Sequence, residues 1–169
     1  MNIKMSLSVS SIEKAIKELE TYKAGLERKA KEICKRLAAI GVDIAKASYD
    51  ATDYDGTKDV SVTVEPTEYG CRILANGASV LFLEFGSGAR YGGGHPLNSE
   101  FGMGPGTWSD GPNGKGHWDD PNGWYLPKSA GQGRSQKSYG NYPAMGMYEA
   151  AKEMRNQIAA IAREVFASD

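Results

Sequence analysis

Two histidines, His95 and His117, and five acids, Glu84, Glu100, Asp110, Asp119 and Asp120, are the residues whose types and clustering could do chemistry. Both histidines with an aspartate could ligate a divalent metal, but the spacing follows none of the H-E-x-x-H, C-x-x-C or calcium-loop patterns that put ligands around one ion. Paired carboxylates across a cleft would suit glycoside or peptidoglycan hydrolysis, with Trp108, Trp118 and Trp124 flooring a sugar site. Against this, acids scattered among glycines and asparagines are first of all turn formers. Gly86-Ser87-Gly88 lacks the G-x-S-x-G nucleophile elbow, and neither Gly86-x-Gly88 nor Gly102-x-Gly104-x-Gly106 has dinucleotide or Walker spacing. The expectation is a non-enzymatic chain with no catalytic, cofactor-binding or metal-binding residue and solvated loop histidines. A glycan or peptidoglycan hydrolase, or a glycan-binding module, is the alternative.

Whatever these residues do depends on the elements that hold them. Ser10 with Glu13 three residues on has the form of a capping box. Apolar residues follow at Ile12, Ile16, Leu19, Leu26, Ala30, Ile33, Leu37, Ile40 and Ile44, in steps of four and three, with Lys23 in the one remaining seam position. Glu13 with Lys17, Glu27 with Lys31 and Glu32 with Arg36 are acid-before-base pairs four apart that support the same helix from its solvated face. The pattern predicts one long helix within residues 1–50, with Gly25 and Gly41 as candidate bends. From Ser11 to Ala47 it would run roughly 55 Å, wider than a domain of this size, so part of it could project toward a neighbouring subunit or else lie along its own sheet.

Val60, Val62 and Val64 alternate with polar residues, as do Cys71, Ile73 and Ala75 after the turn at Pro66 to Gly70, so residues 60–75 predict an antiparallel hairpin. The apolar run from Val80 to Phe85 fits either a third strand after Asn76-Gly77 or a short buried helix, and periodicity cannot separate the two over so few residues. At the other end, residues 141–167 read as a helix capped by Asn141, with Pro143 in its first turn. Its predicted core stripe is Tyr148, Ala151, Met154, Ile158, Ile161 and Val165.

With 169 residues the chain has the length of a single domain. Its 20 lysines and arginines against 21 acids give a formal net charge of -1, which removes any bulk electrostatic case for nucleic acid or an anionic membrane. Cys34 and Cys71 fall in a predicted helix and strand rather than in a disulfide framework, so free thiols in a protein made in the cytoplasm are expected. Between Gly86 and Gly140 lie most of the 21 glycines and all three tryptophans. Glycine costs about 0.5–1 kcal/mol more to order than alanine, so this segment is expected to become ordered only where its aromatics find a surface, much of it on another chain.

Phe82-Leu83-Glu84-Phe85-Gly86-Ser87-Gly88, placed after a hairpin and before a glycine-rich loop, resembles the F/Y-[VIL]-E-F-G-[TSA]-G core of the tail-component family of long-tailed phages and prophages. The ordered series His95-Pro96, Gly106-Thr107-Trp108, Gly123-Trp124-Tyr125 and Tyr139-Gly140, leading through Pro143-Ala144-Met145 into a final helix, extends the likeness from about Val60 onward. The resemblance implies an α+β minor structural protein of the virion neck or tail that completes the tail or joins head to tail. It further implies a homo-oligomeric ring, six- or twelve-fold, that meets portal-side or tail-tube proteins, with no cofactor, no membrane and no specific nucleic-acid binding. It also implies a short helix over residues 78–85 rather than a strand.

Under that reading the candidate interface comprises Glu84, Phe85, Arg90, Trp108, Trp118, Trp124, Tyr125 and Arg134. Glu84 is expected to accept backbone amides from the loop it precedes, or else to pair with Arg90 or Arg134 of the next subunit. In either case Glu84→Gln is expected to keep the fold.

Overall fold

The fold is α+β, and the computed structural model describes residues 6–54, 58–103, 122–125 and 137–167. Helix α1 spans Val9–Ala51. It is followed by strands β1, Ser61–Pro66, and β2, Cys71–Asn76, then by helix α2, Val80–Phe85, and the single turn α3, Gly88–Tyr91. A two-residue strand β3, Trp124–Tyr125, pairs antiparallel with β4, Lys137–Ser138, before the last helix α4, Gly146–Ala167.

The seam of α1 drives one helix through both candidate bends. Its 43 residues span about 64 Å at 1.5 Å per residue. The cap is Ser8 rather than the expected Ser10, with its side chain accepting from Ser11 N. Gly41 is a contact point and not a bend: a Cβ there would lie 2.5 Å from Ile73 Cδ1 and 2.8 Å from Met154 Sδ, so a side chain would have to push the ends of both residues aside where β2 and α4 meet the helix.

Helix α4 lies antiparallel against the C-terminal part of α1. Gly146 abuts the Tyr49 ring, Met154 meets Gly41, and Lys29 Nζ sits 4.9 Å from the centre of the Phe166 ring. Arg36 adds an ion pair to Glu164 at 3.5 Å. The first 20 or so residues of α1 therefore run on past the end of α4 with no element of the described residues covering them. There the apolar seam stays open, with Val9, Ile16 and Leu19 each at least half exposed; on its flank Tyr22 is exposed and Ala15 is buried. Of the predicted stripe on α4, Ile161 and Val165 are buried and Tyr148, Ala151 and Met154 half-buried, but Ala150 rather than Ala151 is fully buried and Ile158 is 49 % exposed, because the helix turns that position away from α1.

The hairpin runs from Ser61 opposite Asn76 to Pro66 opposite Cys71, and lays Val62 and Ile73 on α1. The core gathers Ala45, Tyr49, Val62, Leu83 and Ala150. Cys34 and Cys71 are free thiols, with Cys71 Sγ donating to the Cys34 carbonyl at 3.3 Å and burial pushing the Cys71 thiol up from its ordinary value.

Residues 80–85 are helical, as the resemblance implied, and the turn before them is held by Asp59. Its carboxylate accepts Ala78 N at 2.7 Å, Ser79 N at 2.9 Å and the Ser79 hydroxyl. These bonds hold its carboxyl well below the usual aspartate range, from 3.8 to about 2. A depressed carboxyl stabilises the fold above the unfolded value and loses that contribution as it is protonated, so the loss falls between about pH 4 and about pH 2. Denaturant midpoints followed through that window are expected to drop more steeply in the native chain than in Asp59→Asn, and parallel curves would refute the assignment.

Candidate functional site

The short helix α2 leaves its last carbonyls without a partner inside so short an element. The segment entering α4 supplies them. Asn141 Nδ2 donates to Phe82 O at 2.9 Å, Ala144 N to Leu83 O at 2.7 Å, and Met145 N to Glu84 O at 3.3 Å. Helix α4 has the complementary deficit. Met145, just before it, sits at φ 54 and offers no side-chain oxygen, so the second and third amides of α4 would be orphaned. The Glu84 carboxylate fills that role across the fold, with Oε2 accepting Met147 N at 2.9 Å and Oε1 accepting Tyr148 N at 3.0 Å.

Two side chains complete its shell. The Tyr49 hydroxyl donates to Oε2 at 2.8 Å, and His95 Nε2 approaches Oε1 at 3.3 Å. His95 Nδ1 accepts Leu97 N at 3.1 Å, so the ring is the tautomer protonated on Nε2 and donates to Glu84. Each carboxylate oxygen thus receives two hydrogen bonds, from two backbone amides, a phenol and an imidazole, and the positive end of α4 faces the charge. Glu84 and His95 are both buried, at 6 % and 4 % exposure. The Phe85 ring stacks on His95 at 4.4 Å and Phe101 at 5.8 Å, closing the cluster from one side.

The cluster lies under a groove of about 790 Å³ formed by β2, α2, residues 95–101 and the first turns of α4. Its walls are mostly apolar, with Leu81 and Phe101 exposed, and its charged lining is Glu100, Arg155 and Lys152, the last bridged to Glu149 at 3.0 Å. Chemically the acid and imidazole have little to offer a ligand here. Both oxygens of Glu84 carry two donors, both nitrogens of His95 are bonded, and a general base needs an acceptor free to reach a substrate proton. Among the described residues no group of three or more His, Cys, Asp or Glu side chains could hold a metal, and no helix is long and apolar enough to cross a membrane.

No family model, curated protein or solved structure matches this chain. The site must therefore be read from its own geometry. Glu84 does accept backbone amides, but from α4 and not from the loop it precedes, because Gly86 at φ 75 turns the chain away toward Asn141. Nor does Glu84 meet Arg90 within the chain; that side chain is exposed and lies over the Tyr139 ring at 5.4 Å, on the surface that also carries Lys137. Phe85 is buried in the chain's own core rather than offered to a neighbour. The expected solvated histidine at position 95 is instead a buried structural donor. Trp124 and Tyr125 contribute backbone to the β3–β4 ladder. Trp108, Trp118, Arg134, His117 and the acids Asp110, Asp119 and Asp120 lie outside the described residues.

Sequence reasoning missed Tyr49 as a site residue and placed the cap of α4 at Asn141. One signal was present. No Ser, Thr, Asp or Asn directly precedes Gly146, so the amides of that helix had to find an acceptor elsewhere. Asn141 instead exchanges backbone hydrogen bonds with Ser87, at 3.0 and 3.2 Å, and locks the two crossing segments together.

Burial and the neighbouring Glu84 charge push the Tyr49 phenol far above its ordinary value of 10.0. A raised phenol stabilises the fold fully below the unfolded value and loses that contribution as pH rises past about 10. Tyr49→Phe removes one donor from a buried carboxylate and is expected to cost about 1.5–3 kcal/mol. Alkaline unfolding followed by tyrosine absorbance checks the native phenol: one tyrosine is expected to ionise only as the chain unfolds. Ionisation of all nine in the folded protein would contradict the burial.

Proposed function

We propose that this chain is a structural virion protein of a phage neck, completing the tail or joining head to tail by assembling as a ring. The observation that carries the reading is the open apolar seam on the first half of α1, a face laid out for another polypeptide, in a chain whose acid and imidazole cluster is consumed by holding its own helices together. The Phe82 to Gly88 motif, the residues of the resemblance to the phage tail-component family, acquires a physical meaning on this reading. Glu84 caps α4, Phe85 seals the cap, Gly86 makes the turn, and Ser87 pins the strand-like segment at Asn141. A motif that stabilises the crossing of two helices is what a scaffold subunit requires, and it asks for no substrate.

The ring would be made in the host cytoplasm and would reside in the neck or tail of the particle, where portal-side and tail-tube proteins are its partners. Arg90, with Lys137 and the exposed rings of Tyr139 and Tyr142, offers one polar and aromatic surface for such contacts. Removing the gene from a phage or prophage that carries it and imaging the particles tests the function. Filled heads and separate tails are expected, with purified protein restoring joined particles. Normal virions without the protein, or turnover of cell-wall glycan by the purified chain, would overturn the proposal.

A further inference from the structure

The open seam of α1 and the groove above Glu84 are two uncovered apolar surfaces of one chain, and the fold keeps them apart. The seam residues Val9, Ile12, Ile16, Leu19 and Leu26 lie on the part of α1 beyond the end of α4. The groove lies beside the opposite end, where Met147 to Arg155 of α4 run along the last third of α1. Leu26 and Gly41 alone are about 22 Å apart along an unbroken helix, so the seam cannot reach the groove of its own chain.

Pairing of two seams with each other is disfavoured by their edges. Glu13, Glu20 and Glu27 recur every seven residues along one flank of the stripe, while Ser8, Ala15 and Tyr22 occupy the other. Antiparallel helices would set the glutamates against each other, and parallel helices would give them no cation to meet while stacking Lys23 on its own copy. The groove supplies what the seam lacks. Lys152 is already bridged to Glu149 at 3.0 Å and Glu100 also lines the groove, but Arg155 is exposed and makes no ion pair among the described residues, and Glu13 and Glu20 likewise make none. Ile12, Ile16 and Leu19 follow the i, i+4, i+7 spacing by which an amphipathic helix anchors in an apolar groove.

We infer that the projecting half of α1 of one copy docks in the Leu81–Phe101 groove of a second copy, with Glu20 against Arg155. The contact joins two different surfaces, so it repeats head to tail and generates a closed ring if the rotation closes. It deepens the proposed ring and names how neighbours hold each other, and in that sense rests on that reading.

A complementation experiment tests it. One variant, Ile16→Asp with Leu19→Asp, spoils the seam; another, Leu81→Asp with Arg155→Glu, spoils the groove. All four positions are exposed, and circular dichroism checks that both chains fold. In sedimentation velocity the native chain is expected to associate and each variant alone to remain monomeric. Their equimolar mixture is expected to form a one-to-one complex and nothing larger, since only one good seam and one good groove remain. Should Leu81→Asp disturb the fold, the charge swap stands alone: Glu20→Lys is expected to weaken association about tenfold, and adding Arg155→Glu to the same chain to recover most of it.

A native chain that stays monomeric at the highest soluble concentration, a groove variant that assembles like the native chain, or a mixture with no complex would each overturn the inference. Rings that persist with both surfaces spoiled would sink this contact and spare the neck function. Head-to-tail oligomers from a protein that virions do not need would do the reverse.

Discussion

Replacing Glu84 with glutamine should destabilise the fold by about 1.5–3 kcal/mol, the range for hydrogen bonds to a buried charged group and for a donor left unsatisfied. That is a large share of the roughly 5–15 kcal/mol that holds a domain together. The sequence alone suggested a tolerated change, and the geometry reverses the expectation. Whichever way the amide is turned, its NH2 replaces an oxygen that now receives two donors. The Tyr49 hydroxyl can rotate away, and His95 can change tautomer only by setting a proton on Nδ1 against Leu97 N–H. Neither escape helps Met147 or Tyr148, whose backbone amides cannot become acceptors. One donor is therefore left facing another in a buried site. Denaturant titration of Glu84→Gln beside an exposed control such as Glu68→Gln checks this. Equal midpoints for the two would show that the cap contributes nothing.

The second large effect is at Gly140. It sits at φ 96, and a Cβ built there would lie 2.0 Å from the carbonyl oxygen of Ser87, which itself accepts Asn141 N at 3.2 Å. Alanine at this position adds the strain of the left-handed region to a clash with backbone that no side-chain rotation can relieve. Gly140→Ala is expected to lose on the order of 3 kcal/mol or more and to free the Ser87–Asn141 bridge. Hydrogen exchange at Ser87 and Asn141 reads the bridge directly. Native protection of both amides in the variant would contradict the argument, whereas Gly25→Ala, inside α1 with nothing within 4 Å, is expected to leave the bridge intact and to stabilise the fold by about 0.5–1 kcal/mol.

The two sites differ in how far the sequence could reveal them. Gly86 and Gly140 stand among many glycines, and nothing in the letters distinguishes a residue that must accommodate a crossing strand from one that merely fills a loop. Glu84 did stand out, as a single acid in an apolar run, and its need for amide donors was legible. Which amides was not. Tyr49 is 35 residues before it and Tyr148 is 64 after, and their meeting at one carboxylate follows from the register of α4 on α1. That register is set by Gly41 under Met154 and Gly146 under Tyr49, contacts between surfaces rather than between neighbours in the chain. The cap stands two residues before the expected Ser10, because the Ser8 hydroxyl reaches Ser11 N, and the local signals of the two serines are alike.

Periodicity determined, unaided, that a long helix with an apolar seam comes first, that an alternating hairpin follows, and that an amphipathic helix closes the chain. Such patterns are visible because hydrophobic burial repeats with the geometry of the element itself, every 3.6 or every 2 residues. Only the tertiary structure decided that α4 covers part of that seam and leaves the rest open, and that a buried acid on α2 caps a helix far along the chain. Hydrogen-bond satisfaction in the interior and the coverage of a face depend on which elements are brought together, and no local period encodes that choice.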